Sequence, residues 1–189
     1  MVRFLLLAAG LSTLTSASQS VVADQSLLSP PAEARLLLRA VAEGVQIYTC
    51  AVQGSAAVWT LKAPEAVLRD AAGKQVIGKH FAGPSWQAND GSTVVGEVAA
   101  RTDALGGNAI PWLLLRARSH SGAGQFAEIA FVQRIDTVGG LAPAGGCEAS
   151  TQGKEARVPY SATYMFLQRD EPVRFAALVT AQVVGDSAD

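Results

Sequence analysis

The chain has 189 residues, 15 basic and 16 acidic, of which 49% are hydrophobic and 16% charged, and it carries only two cysteines. So apolar a composition excludes a disordered chain, a formal net charge of −1 gives no field for gripping nucleic acid, and two cysteines cannot build a zinc-ribbon array or a disulfide-dense scaffold. What remains is one globular domain, since domains commonly run to roughly 100–200 residues.

The first 23 residues read as a secretory signal. Arg3 supplies a short positive start, residues 4–14 an apolar run, and small residues follow, with cleavage expected near residue 18 or 23. The apolar run is about 11 residues long, short of the roughly 20 that a membrane-spanning helix needs. A later apolar run, residues 173–184, is too short as well and contains Arg174 and Gln182. The expectation is a secreted or periplasmic protein, one domain over residues 24–189, with no transmembrane segment in the mature chain. In an oxidising compartment an even pair of cysteines reads as a disulfide. A Cys50–Cys147 bridge would close a loop of about 97 residues, which chain-entropy arithmetic values at about 4–5 kcal/mol, less any native strain. A metal site adding His80 and His120 lacks the paired Cys or His spacings such sites use, so no metal and no cofactor is expected.

Short apolar runs between turn residues then recur along the chain. Residues 32–43 are ambiguous: Leu36, Leu37, Ala40 and Val41 have helical spacing with Gly44 as a stop, yet the same letters can run as a strand into Val45. Residues 45–50 alternate around β-branched and aromatic side chains, and residues 58–61 repeat that signal. Residues 66–70 lead through Ala71-Ala72-Gly73-Lys74 into residues 75–78, a hairpin pattern. Further strands are expected at residues 93–98, at residues 110–116 entered through Pro111, at residues 127–135, and at residues 158–168, where Tyr160, Ala162, Tyr164 and Phe166 share one side. Seven or more short strands at hairpin spacing predict an all-β fold, an antiparallel sandwich or barrel.

Chemically versatile side chains concentrate in residues 78–92, which read as a loop. There His80 can act as general acid or base, Asp90 can orient it, and Ser85 or Ser92 can serve as nucleophile. The structural alternative is that Asp90-Gly91-Ser92 makes a turn and His80 bonds a neighbouring carbonyl. No Gly-x-Ser-x-Gly elbow supports a hydrolase. Trp59, Trp86 and Trp112 offer stacking faces for a carbohydrate or apolar ligand, or else fill the core. Arg134 reads as a solvated or paired structural arginine.

Several of these segments occur together in order: Gly44-Val45-Gln46-Ile47-Tyr48-x-Cys50, Gly78-x-His80-Phe81-x-Gly83-Pro84-x-Trp86, Asp90-Gly91-Ser92, Ile110-Pro111-Trp112-Leu113-Leu114, and Gln133-Arg134-Ile135-x-Thr137-x-Gly139-Gly140-x-x-Pro143 ending at Cys147. That succession resembles the domain of unknown function 3455 family, exported proteins of bacteria and fungi, over about residues 33–168. The resemblance implies positions, mapping the family's His, Trp and Cys onto His80, Trp86, Cys50 and Cys147, and implies no reaction. Malate-dehydrogenase-like labels on some fungal relatives find no support here, because a Gly-x-Gly-x-x-Gly turn between strand and helix is missing.

Together these readings give an exported β domain acting as a small-ligand-binding or cell-envelope interaction module. His80, Trp86, Asp90 and Trp112, with Tyr160 nearby, are the expected contacts for a small molecule or carbohydrate. The alternatives are a hydrolase using His80 with Ser85 or Ser92, and a purely structural envelope component.

Overall fold

A computed structural model describes residues 25–170; the expected signal segment with its cleavage near residue 18 or 23, and the apolar run 173–184, lie outside the described residues. Eight strands follow a first 3-10 turn (Gln25–Leu28), and a second (Ala149–Thr151) precedes the last strand: β1 (Ala34–Gln53), β2 (Ala56–Arg69), β3 (Val76–Phe81), β4 (Ser85–Ala88), β5 (Thr93–Thr102), β6 (Trp112–Ser121), β7 (Phe131–Gly139) and β8 (Glu155–Arg169). Each strand pairs antiparallel with the next, and β8 returns to β1, so the sheet closes. The sandwich-or-barrel alternative is thereby resolved as an up-and-down barrel, a form that leaves no sheet edge unpaired. Among the described residues no helix is long and apolar enough to cross a membrane.

Two local readings change. Residues 34–43 are strand, paired with β8 from Ala34↔Arg169 to Glu43↔Ser161. Pairing with β8 along this length, joined by pairing with β2 from Val41 onward, outweighs a helical spacing in sequence, and Gly44 acts as a close-approach residue in mid-strand, where a Cβ would collide with the Glu65 carbonyl and Ala66 on β2. The stretch 78–92, expected as a loop, is mostly a hairpin: β3 and β4 place His80 opposite Trp86 and Gly78 opposite Ala88. Its alternation is real, but glycine, histidine and tryptophan carry it where valine or isoleucine would have advertised it.

The strand alternation sorts side chains between two clusters. Ala40, Ala42, Leu68, Trp86, Leu115, Val132, Ala162, Tyr164 and Phe166 fill the barrel. On the outer face Trp112, Leu114, Phe131 and Leu167 pack beneath Leu28 of the first 3-10 turn, whose carbonyl accepts a hydrogen bond from Gln133 Nε2 at 2.8 Å. At one end the β6–β7 connection inserts Phe126, stacked on Phe166 with ring centroids 4.6 Å apart. The opposite end carries the β1–β2 and β3–β4 turns and the β5–β6 and β7–β8 connections. There Cys50 on β1 forms a disulfide with Cys147 in the β7–β8 connection, 97 residues away in sequence.

Candidate functional site

The open end holds a cavity of about 760 Å³, within the roughly 300–1,000 Å³ typical of small-molecule sites. Its apolar wall is aliphatic, from Leu61, Ala63 and Pro64 on β2, Val98 on β5, Leu113 on β6 and Leu141 beyond β7. Its polar wall consists of Gln46, Tyr48, His80 and Arg134, with Lys62 and Arg101 also on the lining.

Each polar group is positioned by the strand that carries it. Gln46 and Tyr48 sit two residues apart on β1, so both point inward. The Tyr48 hydroxyl donates to the Gly140 carbonyl at 2.6 Å. That bond draws the start of the β7–β8 connection over the mouth, and position 140 must be glycine to lie there: φ is 79°, and a Cβ would stand 2.8 Å from the Tyr160 Cβ. Gln46 is 2% exposed, and its Nε2 has no hydrogen-bond partner.

His80 is stacked on Trp86, ring centroids 4.6 Å apart and planes 7° from parallel, with the edge of Tyr164 at 5.2 Å. Its Nδ1 lies 2.8 Å from the Ser85 carbonyl oxygen. A carbonyl only accepts, so Nδ1 carries the proton and Nε2 keeps its lone pair. Burial drives the His80 pKa down to about 3, the Arg134 charge acting in the same sense and the Ser85 bond against it. At neutral pH the ring is an uncharged imidazole.

Arg134, on β7 opposite Tyr164 on β8, donates Nε and Nη2 to the Pro111 carbonyl at 3.1 and 2.8 Å. No carboxylate among the described residues pairs with it. Burial raises the pKa values of Tyr48, Tyr160 and Tyr164, and the Arg134 charge opposes this at all three. The Tyr160 and Tyr164 hydroxyls and Trp86 Nε1 are buried without a partner at hydrogen-bond distance, although Tyr164 lies near enough to Tyr160, Arg134 and Trp86 to feel each of them.

The other expected site residues are dispersed. Trp86 is fully buried behind His80, and Trp112 belongs to the outer cluster, so neither lines the cavity. Ser85 meets His80 through its backbone carbonyl, not its hydroxyl. Asp90 and Ser92 sit at the closed end, where Asp90 Oδ1 accepts from the Ser92 N–H and O–H at 2.9 and 2.6 Å and Oδ2 accepts from the Gln125 N–H at 2.7 Å. Ser92 Oγ in turn accepts from the Phe126 N–H at 3.0 Å. These donors hold the Asp90 carboxyl below its usual range. The four groups clamp the β4–β5 turn to the β6–β7 connection, and no hydrogen bond joins them to His80. Among the described residues no three His, Cys, Asp or Glu side chains gather as a metal-ligand set.

Gln46, Tyr48 and Arg134 were not singled out from sequence as site residues. The available signal was the alternation in β1, where Gln46 and Tyr48 fall on the same side as Ala40 and Ala42, with a polar residue at an inward position. No curated protein and no solved structure matches the chain significantly. The family model described as "Protein of unknown function (DUF3455)" does match, over residues 30–168, a span that takes in all eight strands but the last residue of β8, and the chain belongs to that family.

Proposed function

We propose that the protein binds a small organic molecule in the barrel mouth and works in an oxidising compartment outside the cytoplasm. The observation that carries the binding reading is the cavity of about 760 Å³ with Arg134 on its wall, a guanidinium that no carboxylate among the described residues pairs. Gln46 Nε2, buried without a partner, is shut off from the cavity as the side chain stands. Burying an amide donor unpaired costs about 1–3 kcal/mol, and turning the side chain toward a ligand acceptor would offset that cost in the complex. The aliphatic wall supports a molecule with an apolar body over a carbohydrate, because none of the three tryptophans lines the cavity to stack on a sugar ring. The compartment reading rests on the disulfide, which persists where thiols are oxidised.

The test is a thermal-shift screen of a metabolite library against the mature chain and against Leu113→Trp, which enlarges an inward side chain on the cavity wall opposite Arg134. Compounds that raise the Tm of the wild type and leave Leu113→Trp unmoved are the expected result. Binding at this cavity is refuted if no compound stabilises the wild type, or if the stabilisation survives in Leu113→Trp.

A further inference from the structure

We propose that the ligand is a small carboxylic acid with an aliphatic body, bound with its carboxylate on Arg134. The proposal rests on the cavity reading above and names its ligand class. Three observations carry it.

First, the cavity lining is one-signed. Arg134, Arg101 and Lys62 contribute to it, and no aspartate or glutamate does. Lys62 is paired with Glu155, and that pair is exposed, whereas Arg134 has no carboxylate partner among the described residues. A half-buried guanidinium without a counter-charge attracts an anion that reaches it, more strongly than one in bulk water would.

Second, Arg134 is held ready. Two of its five N–H groups converge on one acceptor, the Pro111 carbonyl, and that segment is itself fixed by Thr137 Oγ1 donating to the Ile110 carbonyl at 2.6 Å and by the Ile110 N–H donating to the Gly139 carbonyl at 2.9 Å. The remaining N–H groups keep the planar geometry that suits a carboxylate. Gln46, on the same wall, holds an unpaired buried Nε2 that a turn of its side chain would bring to the ligand.

Third, the rest of the lining asks for an alkyl chain. Leu61, Pro64, Val98, Leu113 and Leu141 present aliphatic surface, the Tyr48 ring on the facing wall is tied through its hydroxyl to Gly140, and His80, uncharged at neutral pH, adds no charge of either sign. A cationic head is repelled by this lining, and a neutral head forfeits the charge-assisted bond.

Decanoate, decanol and decylamine share one chain length and differ in head group. Titration calorimetry of the mature chain, below micellar concentrations, is expected to rank decanoate at least about tenfold tighter than decanol, with decylamine weakest. Arg134→Gln should erase the decanoate preference and keep decanol binding, and Arg134→Lys should restore part of it. If decanoate and decanol bind equally and both are lost in Leu113→Trp, the cavity reading stands and the anion assignment falls. If the library screen finds stabilising compounds but neither decanoate nor decanol binds, the ligand class is wrong. If that screen finds nothing, the cavity reading itself fails. Should Arg134→Gln not fold, the wild-type ranking and its weakening by salt decide the matter alone.

Discussion

The two ends of the barrel obey different rules. At the closed end Phe126, Phe166 and Val94 are fully buried, the rings of Phe126 and Phe166 stack, and the polar groups of Asp90 and Ser92 are satisfied within the loops. At the mouth a buried amide nitrogen has no partner, a guanidinium has no counter-ion among the described residues, and about 760 Å³ is left between the walls. Folding alone rewards the first arrangement and penalises the second. Stability is therefore concentrated in one half of the interior, and the proposed binding site lies in the other, with the His80–Trp86 stack between them.

The largest test of that contrast is to cut one side chain from each half. Phe166→Ala removes a ring packed against Trp86 and Phe126 and should cost about 3–5 kcal/mol in urea unfolding. Val98→Ala, at a cavity-wall residue 51% exposed, should stay within about 0.5 kcal/mol. Comparable losses would mean that the mouth is part of the packed core. The disulfide comes next. Cys50→Ser with Cys147→Ser should cost about 2–4 kcal/mol and loosen mainly the β7–β8 connection over the mouth, which hydrogen exchange of Gly140 and its neighbours would register. Uniform loosening of both ends would erase the distinction.

The boundary between the halves can be read through His80. Its folded pKa, about 3, lies below its unfolded value near 6.5. The unfolded chain therefore binds the extra proton first, and the stability that His80 contributes is complete above pH 6.5 and is lost as pH falls toward 3. The expected slope is about 1.4 kcal/mol per pH unit between pH 6 and pH 4. Asp90, also held down when folded, keeps its contribution above the ordinary carboxylate range and loses it as pH falls through that range toward its lower folded value. Urea unfolding from pH 7 to 4 should show that slope in the wild type and lack it in His80→Gln. A flat wild-type profile would mean that water from the mouth solvates the ring, moving the boundary inward.

The closed end was the more legible half from sequence. Tyr160, Ala162, Tyr164 and Phe166 alternate along β8 as sequence predicts, and residues 66–78 form the expected hairpin between β2 and β3. What hid the mouth was distance along the chain: Gln46, His80 and Arg134 come from β1, β3 and β7, and only barrel closure gathers them on one wall. Clustering within residues 78–92 pointed instead to Asp90 and Ser92, which strand direction carries to the other end, and to Trp86, whose face His80 covers. Local concentration of functional letters is a weak guide in an antiparallel fold, because a hairpin separates its turn from the ends of its strands.

The smallest expected effect is the most discriminating, because its sign differs between the two halves. In a closed interior, replacing a polar side chain by an apolar one of similar size breaks satisfied bonds and destabilises. Gln46 has no bond at Nε2 to lose. Gln46→Leu therefore exchanges an unpaired buried donor for aliphatic surface beside Pro64 and Ile110, which share the cavity lining, and should raise the unfolding free energy by up to about 1 kcal/mol. The same change should weaken decanoate, which loses a donor, and leave decanol less affected. A gain in stability together with a loss of binding is the signature of a residue retained for recognition against its folding cost. If Gln46→Leu instead destabilises the free protein, the amide is meeting its needs within the fold, and the mouth belongs to the same packed regime as the closed end.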